Sequence, residues 1–313
     1  KANNPTMRAT VDASGSSVDT IFAEAILASM PTLVVEQYGL PIMKDVPGQT
    51  DSATFPVFAN FDLTWNNISG TGSDTGSMIT LTAGSAATWR VITPVLYSAG
   101  LFVSDVVDLT VNKADFDLYS KIAANQVARK LDTIFLTELA TCDDNASCNR
   151  YAAGGFTVNG STSSASTLTP SDLSEAKRLL ATGSDIYPPD VILMHPNQYS
   201  QLMLHQDFSL TNSTGAHRKG AWADGNLVKY DGMDIVVTEQ IDQVTDGEMA
   251  SGNGHHVYVF RKGLSFGMAM KKQAFKVSTV DDRIRHGKFK IFDIMAAAET
   301  LVPASVVLLR CAD

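Results

Sequence analysis

Charge is scarce in this chain: Asp, Glu, Lys and Arg make up 18% of its 313 residues, against about 25% in ordinary soluble domains. A shortage of that size points to surface that ends up against other protein. Acid outweighs base, with a net charge of −9 and a pI near 5.1. That excludes a surface gripping nucleic acid non-specifically as a whole, though not a wall enclosing it at a distance. The three cysteines, Cys142, Cys148 and Cys311, are too few for a secreted disulfide framework. Cys142 and Cys148 could close a small loop, but free thiols are the better reading. No run approaches the ~18 apolar residues of a membrane span. Lys1-Ala2-Asn3-Asn4-Pro5 has neither an initiator Met nor a signal-peptide core, which fits a processed end or a start after a removed segment. The Asn-x-Ser/Thr triplets at Asn67, Asn145, Asn159 and Asn212 are no more than chance expects in so Ser- and Thr-rich a chain.

What is present is enough for a sizeable core: 44% of the residues are hydrophobic, and the length suits roughly two domains. The most informative stretch is 45–98. Phe55, Val57, Ala59, Phe61, Leu63 and Trp65 fall on every second position, and Ile79, Leu81, Ala83, Trp89, Val91, Val95 and Tyr97 return on the same beat. Strict alternation makes two strands with one apolar face each. Asn66 to Ser77 has the chemistry of a flexible tip. Between Asp45 and Arg90 only Asp51, Asp62 and Asp74 carry charge. A two-stranded ribbon is marginal alone in water, so this one is expected to rest on a partner surface, most simply another copy of the chain.

Lys1 to Ser17 reads as a polar arm, followed by a short helix capped by Asp19 and stopped by Pro31. Phe116, Tyr119, Ile122, Ala123, Val127, Leu131, Ile134, Phe135 and Leu139 recur at helical steps, predicting a spine helix over 115–141 of about 40 Å. Cys142 to Thr167 is rich in Asn, Gly, Ser and Ala and is expected to be a surface loop or domain boundary. Thr169-Pro170-Ser171-Asp172 is a helix start with cap, proline and acid in place. A buried strand over 191–194, a helix from Pro196 to about Leu204 and a turn at Tyr230-Asp231-Gly232 follow. Strands are expected at 235–237, 257–260, 264–270 and through 288–309, with a bend at Pro303. The second half is therefore α+β.

Candidate chemistry is thin. Gly263-Leu264-Ser265-Phe266-Gly267 matches a nucleophile elbow, and Asp281 or Asp282 and His286 follow in hydrolase order. The elbow needs a helix after the serine, whereas Met268-Ala269-Met270 continues a strand-like run. Asp74-Thr75-Gly76-Ser77 resembles an aspartic-protease loop but follows Gly70-Thr71-Gly72-Ser73 rather than a hydrophobic strand. His195, His205, His217, His255, His256 and His286 show no metal-ligand spacing. The glycines at 70, 72 and 76 have the wrong spacing for a dinucleotide fingerprint. Arg261-Lys262, Lys271-Lys272 and Lys276 are read as a strand-borne, solvated or subunit-contacting face, which Asp19, Glu24 or Glu36 of another copy could meet. We therefore expect no catalytic residue, no cofactor and no metal.

An arm, an extended two-stranded loop, a spine helix, a mixed domain and a long final strand, in that order, resemble the major capsid proteins of tailed double-stranded DNA phages, the Hong Kong 97-like fold. The resemblance covers about Ile21 to Asp313. It is carried by Leu168-Thr169-Pro170-Ser171-Asp172-Leu173, by Pro188 to Tyr199, by Tyr230 to Glu239 and by Arg261 to Gly267. It implies an arm over 1–44 and an extended loop over 45–99. It further implies a peripheral domain from 100–155 and 275–300, and an axial domain from 156–274 and 301–313. It also implies a homo-oligomer of pentamers and hexamers enclosing double-stranded DNA without sequence-specific binding. Such a shell is a virion component, assembled in the host cytoplasm with a portal, a scaffold and a cementing or decoration protein as partners, and with no membrane. An encapsulin-type bacterial compartment is the alternative. Some relatives weld neighbours through a lysine in the extended loop; here 45–112 contains no lysine, so a non-covalent shell is expected.

Overall fold

The computed structural model describes residues 38–47, 50–57, 88–104, 113–145, 147–153, 157–158, 167–182, 187–204, 229–244, 253–271, 276–282 and 284–313. The expected arm up to residue 37, the helix from Asp19, the ribbon between 58 and 87, the Asp74 loop, His205 and His217 lie outside the described residues.

Two sheets and a ribbon root carry the fold. In the first sheet β1 (Ile42–Asp45) runs parallel to β12 (Phe266–Met270), and β12 pairs with the far end of β14 (Gly287–Thr300). β13 (Lys276–Asp282) continues that edge of β14, while β4 (Val95–Ser104) runs antiparallel along the opposite edge from Gly287 to Ala296. The second sheet has the order β6 (Thr157–Val158), β5 (Asn149–Ala152), β15 (Val306–Ala312), β11 (Gly254–Phe260), β7 (Val191–Met194), β9 (Met233–Val237) and β8 (Lys229–Tyr230). β10 (Gln243–Val244) pairs with β11. β2 (Ala53–Val57) and β3 (Thr88–Ile92) form the ribbon root.

The spine helix α1 (Lys113–Ala140) has 28 residues. Val127, Leu131, Phe135 and Leu139, four residues apart, give it one apolar edge. That edge lies against both sheets, touching a common core with Phe260 and Leu308 of one and Phe266, Phe292 and Ile294 of the other. Phe135 and Phe260 each meet the Phe266 ring edge-on, at 5.5 and 5.2 Å. On the far face of the second sheet, α2 (Pro170–Thr182) and α3 (Pro196–Leu204) bury Leu173, Ala176, Leu180 and Leu202 against Ile192, Val257, Val259 and Leu309. The start of α2 is the one the sequence spells. Asp172 Oδ2 accepts hydrogen bonds from the Thr169 N–H at 2.9 Å and the Thr169 hydroxyl at 2.6 Å. Between β8 and β9, Asp231 and Gly232 both sit at positive φ, 48° and 84°, the two-residue turn that suits a right-twisted hairpin.

One expectation needs correction. The Cys142–Thr167 segment is not all surface loop. Cys142, Cys148, Tyr151, Ala152 and Ala153 are buried, because β5 runs parallel to β15 and completes the second sheet. The bend expected at Pro303 is there: Pro303–Ser305 form a 3-10 turn that carries the chain from β14 in one sheet into β15 in the other. Two strands pair away from their neighbours in the chain. β12, inside 156–274, pairs in the spine-helix sheet, and β5, inside 100–155, pairs in the other.

Candidate assembly surface

At the ribbon root, cross-strand partners share a face. Ala53 and Phe55 of β2 and Ile92 of β3 turn inward and pack with Val46, Ala269 and Leu301. Phe55 is 1% exposed. Gly267 makes this approach possible, since a Cβ there would lie 3.2 Å from Ile92 Cδ1 and from both Leu301 methyls. The opposite face carries Thr54 and Pro56 with Trp89 and Val91, which are 61% and 53% exposed. So the alternation holds, but Trp89 and Val91 do not join Phe55 on one face. The Phe55 face is covered by its own chain, and the Trp89 face is the one left open.

β4, which follows β3 in the chain, also leaves apolar residues exposed, Val95 and Leu96 among them. None of its ten residues is charged and none is proline. Tyr97 and Leu101 turn toward α1, whereas Leu96, 55% exposed, and Phe102 look outward, with Phe102 resting on Phe289 at 5.0 Å. Among the described residues no strand pairs with its outer edge. A long uncharged edge without proline is a template for another strand. Between β4 and α1 a cavity of about 650 Å³ is lined by Tyr97, Leu101, Val127, Phe292 and Ile294, with Lys130 Nζ 4.5 Å above the Tyr97 ring. Further out, the β13–β14 turn lifts Ile284 into solvent at 91% exposure, with Asp282 Oδ1 accepting the N–H groups of Ile284 and Arg285. Apart from the absence of charge from Val91 to Ser104, little in the sequence marks this edge.

The residues with possible chemistry are placed for structure. Ser265 is 0% exposed and heads β12, not a helix. Its hydroxyl donates to Arg261 O at 3.0 Å and accepts from Ser305 Oγ at 2.7 Å, pinning the β11–β12 turn to the crossover into β15. His286 lies on the β13–β14 turn with Asp282, and the 14 residues of β14 separate that turn from Ser265. At ~3.3 Å per residue that is on the order of 40 Å, so no triad forms. The basic residues do not form one face either. Lys262, in the turn before β12, pairs with Asp234 at 3.4 Å, Lys271 follows the other end of β12, and Lys272 is outside the described residues.

His195 stacks on His255 with ring centres 3.8 Å apart, and His255 Nδ1 lies 2.8 Å from Asp313 Oδ1. Burial resists charge on Asp313, but hydrogen bonds from His255, Gln243 and Gln198 outweigh it and hold this carboxyl at about 2. Burial, then the charge of His255, pushes His195 below the usual imidazole range. The cluster ties the end of β15 to α3 and β11. Among the described residues no group of three or more His, Cys, Asp or Glu is arranged to hold a metal ion, and no helix is long and apolar enough to cross a membrane.

A family model described as phage capsid protein matches residues 97–291. No curated protein matches the chain. Solved structures do. The capsid of cyanophage P-SCSP1u aligns with a TM-score of 0.58 at 16% identity, over 87% of this chain and 86% of the other. A virus-like particle from Pyrococcus furiosus aligns at 0.56 and 12% identity, over 93% and 98%. The holo-SrpI encapsulin complex from Synechococcus elongatus PCC 7942 aligns at 0.53 and 10% identity, over 88% and 86%. At such identities the likeness is one of fold.

Proposed function

The chain belongs to the phage capsid protein family and has the Hong Kong 97-like fold, and from that premise we propose that it builds an icosahedral phage shell of pentamers and hexamers enclosing double-stranded DNA. It is a structural capsid subunit, and the proposal concerns how it assembles and what it encloses. The observation that carries it is the open apolar strip from Trp89 and Val91 along the uncharged edge of β4. Apolar area left bare in water favours association, and an unpaired edge gives that association direction and register. We take residues 1–44 as an arm and 45–99 as a loop reaching a neighbour. The spine-helix sheet, with β1 and β12 counted in it, serves as the peripheral domain and the sheet with α2 and α3 as the axial one.

No protein chemistry is needed for this role, and welding through a loop lysine is not open to it. The nearest lysine, Lys44, donates to Thr54 O at 2.6 Å and lies 4.6 Å over the Phe55 ring, so it braces its own ribbon root. Contacts between subunits are then non-covalent, with a cementing protein, a portal and a scaffold as candidate partners. An acidic wall suits DNA driven in by a motor, since it limits sticking of the genome. Virus-like particle and encapsulin structures share the fold, so a compartment for protein cargo is the second reading. Electron microscopy of particles from the native source, with nuclease-protected DNA and co-purifying protein measured on the same fractions, separates the two. Protected DNA and a single denatured band near 33.5 kDa are expected. A stoichiometric enzyme cargo without DNA favours the compartment, a ladder overturns the non-covalent shell, and a permanently monomeric chain overturns both.

A further inference from the structure

Cys142 and Cys148 are free, buried and in one core cluster. Cys142 lies in the 3-10 turn Thr141–Asp143 that ends the spine helix, and Cys148 directly precedes β5. The chain between them doubles back: the Asp144 and Asn145 N–H groups donate to Thr141 O at 3.2 and 3.1 Å, and the Cys148 N–H to Asn145 O at 3.0 Å. Both thiols lie in the same buried cluster at the two ends of this turn, near enough for each to shift the other's proton affinity. Beside them Arg150 donates from Nη1 to Asp143 O, while its buried Nε has no hydrogen-bond partner among the described residues. Arg310 clasps Asp143 Oδ1 from the second sheet at 2.8 Å.

We propose that Cys142 and Cys148 are a latent intrachain disulfide, closed by small-molecule disulfides when the protein leaves a reducing solution, which staples the end of the spine helix to β5. The two sulfurs are not equivalent. The neighbouring Cys142 thiol lowers the Cys148 thiol, burial resists, and the Arg150 charge helps. The same pairing, with burial, raises Cys142. Cys148 is therefore the attacking thiolate. It displaces one thiolate from the small disulfide, which takes up the proton Cys148 released. Cys142 then gives up its proton, attacks the Cys148 sulfur and expels the second thiol. Two electrons leave the protein, and one small disulfide becomes two thiols. Burial confines the exchange to moments when the Thr141–Cys148 turn opens. Closure does not rest on the shell reading, since it is read on the free chain. For a shell, it would strengthen each subunit after release from a reducing cell interior.

The test uses the full chain, purified with reductant, exchanged into oxygen-free buffer and incubated with oxidised glutathione. Denaturation in N-ethylmaleimide then counts free thiols by intact mass. The reduced chain takes up one maleimide for each of its three cysteines. Oxidation is expected to leave one, with a Cys142–Cys148 linked peptide and a melting temperature higher by on the order of 5 °C. Cys311→Ser should close equally well, leaving no free thiol, and Cys148→Ser should form no intrachain link. A folded chain that still takes three maleimides, that stops at a glutathione adduct, or that links through Cys311 overturns the proposal. The wild-type and Cys311→Ser counts decide it even where Cys148→Ser fails to fold.

Discussion

The stacked histidine pair shows how single residues couple this fold to pH. The folded chain keeps His195 neutral below the ordinary imidazole value of 6.5, so on acidification the unfolded chain takes a proton that the folded one refuses. Stability then falls as pH drops below that value. Glu239 and Asp313 face the ring and oppose the effect without cancelling it. Asp313 acts lower down. Its contribution is complete above its unfolded value of 3.8 and is lost as pH falls toward about 2. Of these two groups, only His195 acts between about pH 7 and 5. His195→Asn is therefore expected to flatten the melting temperature over that interval and to leave the fall at lower pH in place. Thermal melts at half-unit steps check it, and an unchanged slope between pH 7 and 5 refutes the role given to His195. None of this was legible in the sequence. Residues 195, 255 and 313 are far apart along the chain, and only the β11–β15 pairing and the turn into α3 bring them together.

At the scale of elements, local chemistry was legible and cross-chain pairing was not. The spine helix, the cap at Thr169 and the Asp231-Gly232 turn each rest on residues a few positions apart, and each stands within two residues of where it was expected. The face of the ribbon, the sheet to which β12 belongs and the edge offered by β4 depend on partners 26 to 201 residues away. Alternation gives two faces but cannot say which one its own chain covers. Two elements carry predictions. Glu138, in the last turn of α1, accepts the Thr300 N–H at 2.8 Å and the Thr300 hydroxyl at 2.9 Å, so it holds the end of β14. Glu138→Ala strands a buried backbone donor, at a cost of about 1–3 kcal/mol. Urea unfolding should show a lower midpoint with an unchanged slope; an unmoved midpoint would mean that water replaces the carboxylate at no cost. On β4, Leu96→Lys places a charge on an exposed position of the edge, the device natural sheets use to stop strand addition. Circular dichroism of the free subunit should stay as it was, while gel filtration shows loss of large particles. Normal particles from that variant would remove the edge from the assembly surface.

For the whole molecule, the question is where the bare apolar strip goes. The alternating ribbon, expected from the sequence to rest on another copy, is at its root half at home: Phe55 and Ile92 are in their own subunit's core, and Trp89 and Val91 are not. Trp89 is the most direct reporter of the remainder. It is 61% exposed and points away from the cluster that anchors Phe55, so the fold of the subunit does not need it. Covering it would remove on the order of 100–150 Å² of apolar surface, roughly 3 kcal/mol per contact. A closed shell would repeat each contact at every copy, so contacts of that size would suffice to hold it without covalent bonds. The other tryptophans, Trp65 and Trp222, make the signal a difference, read between the wild-type chain and Trp89→Phe. The Trp89 component of the fluorescence should lie at long wavelength in dissociated subunits. It should move to shorter wavelength, with less quenching by iodide, in assembled particles. Trp89→Asp, which would set a charge in the covered interface, should leave a folded subunit that no longer assembles. If Trp89 stays equally accessible to iodide in particles and in free subunits, the strip faces solvent in the shell, and neighbours are held through some other surface.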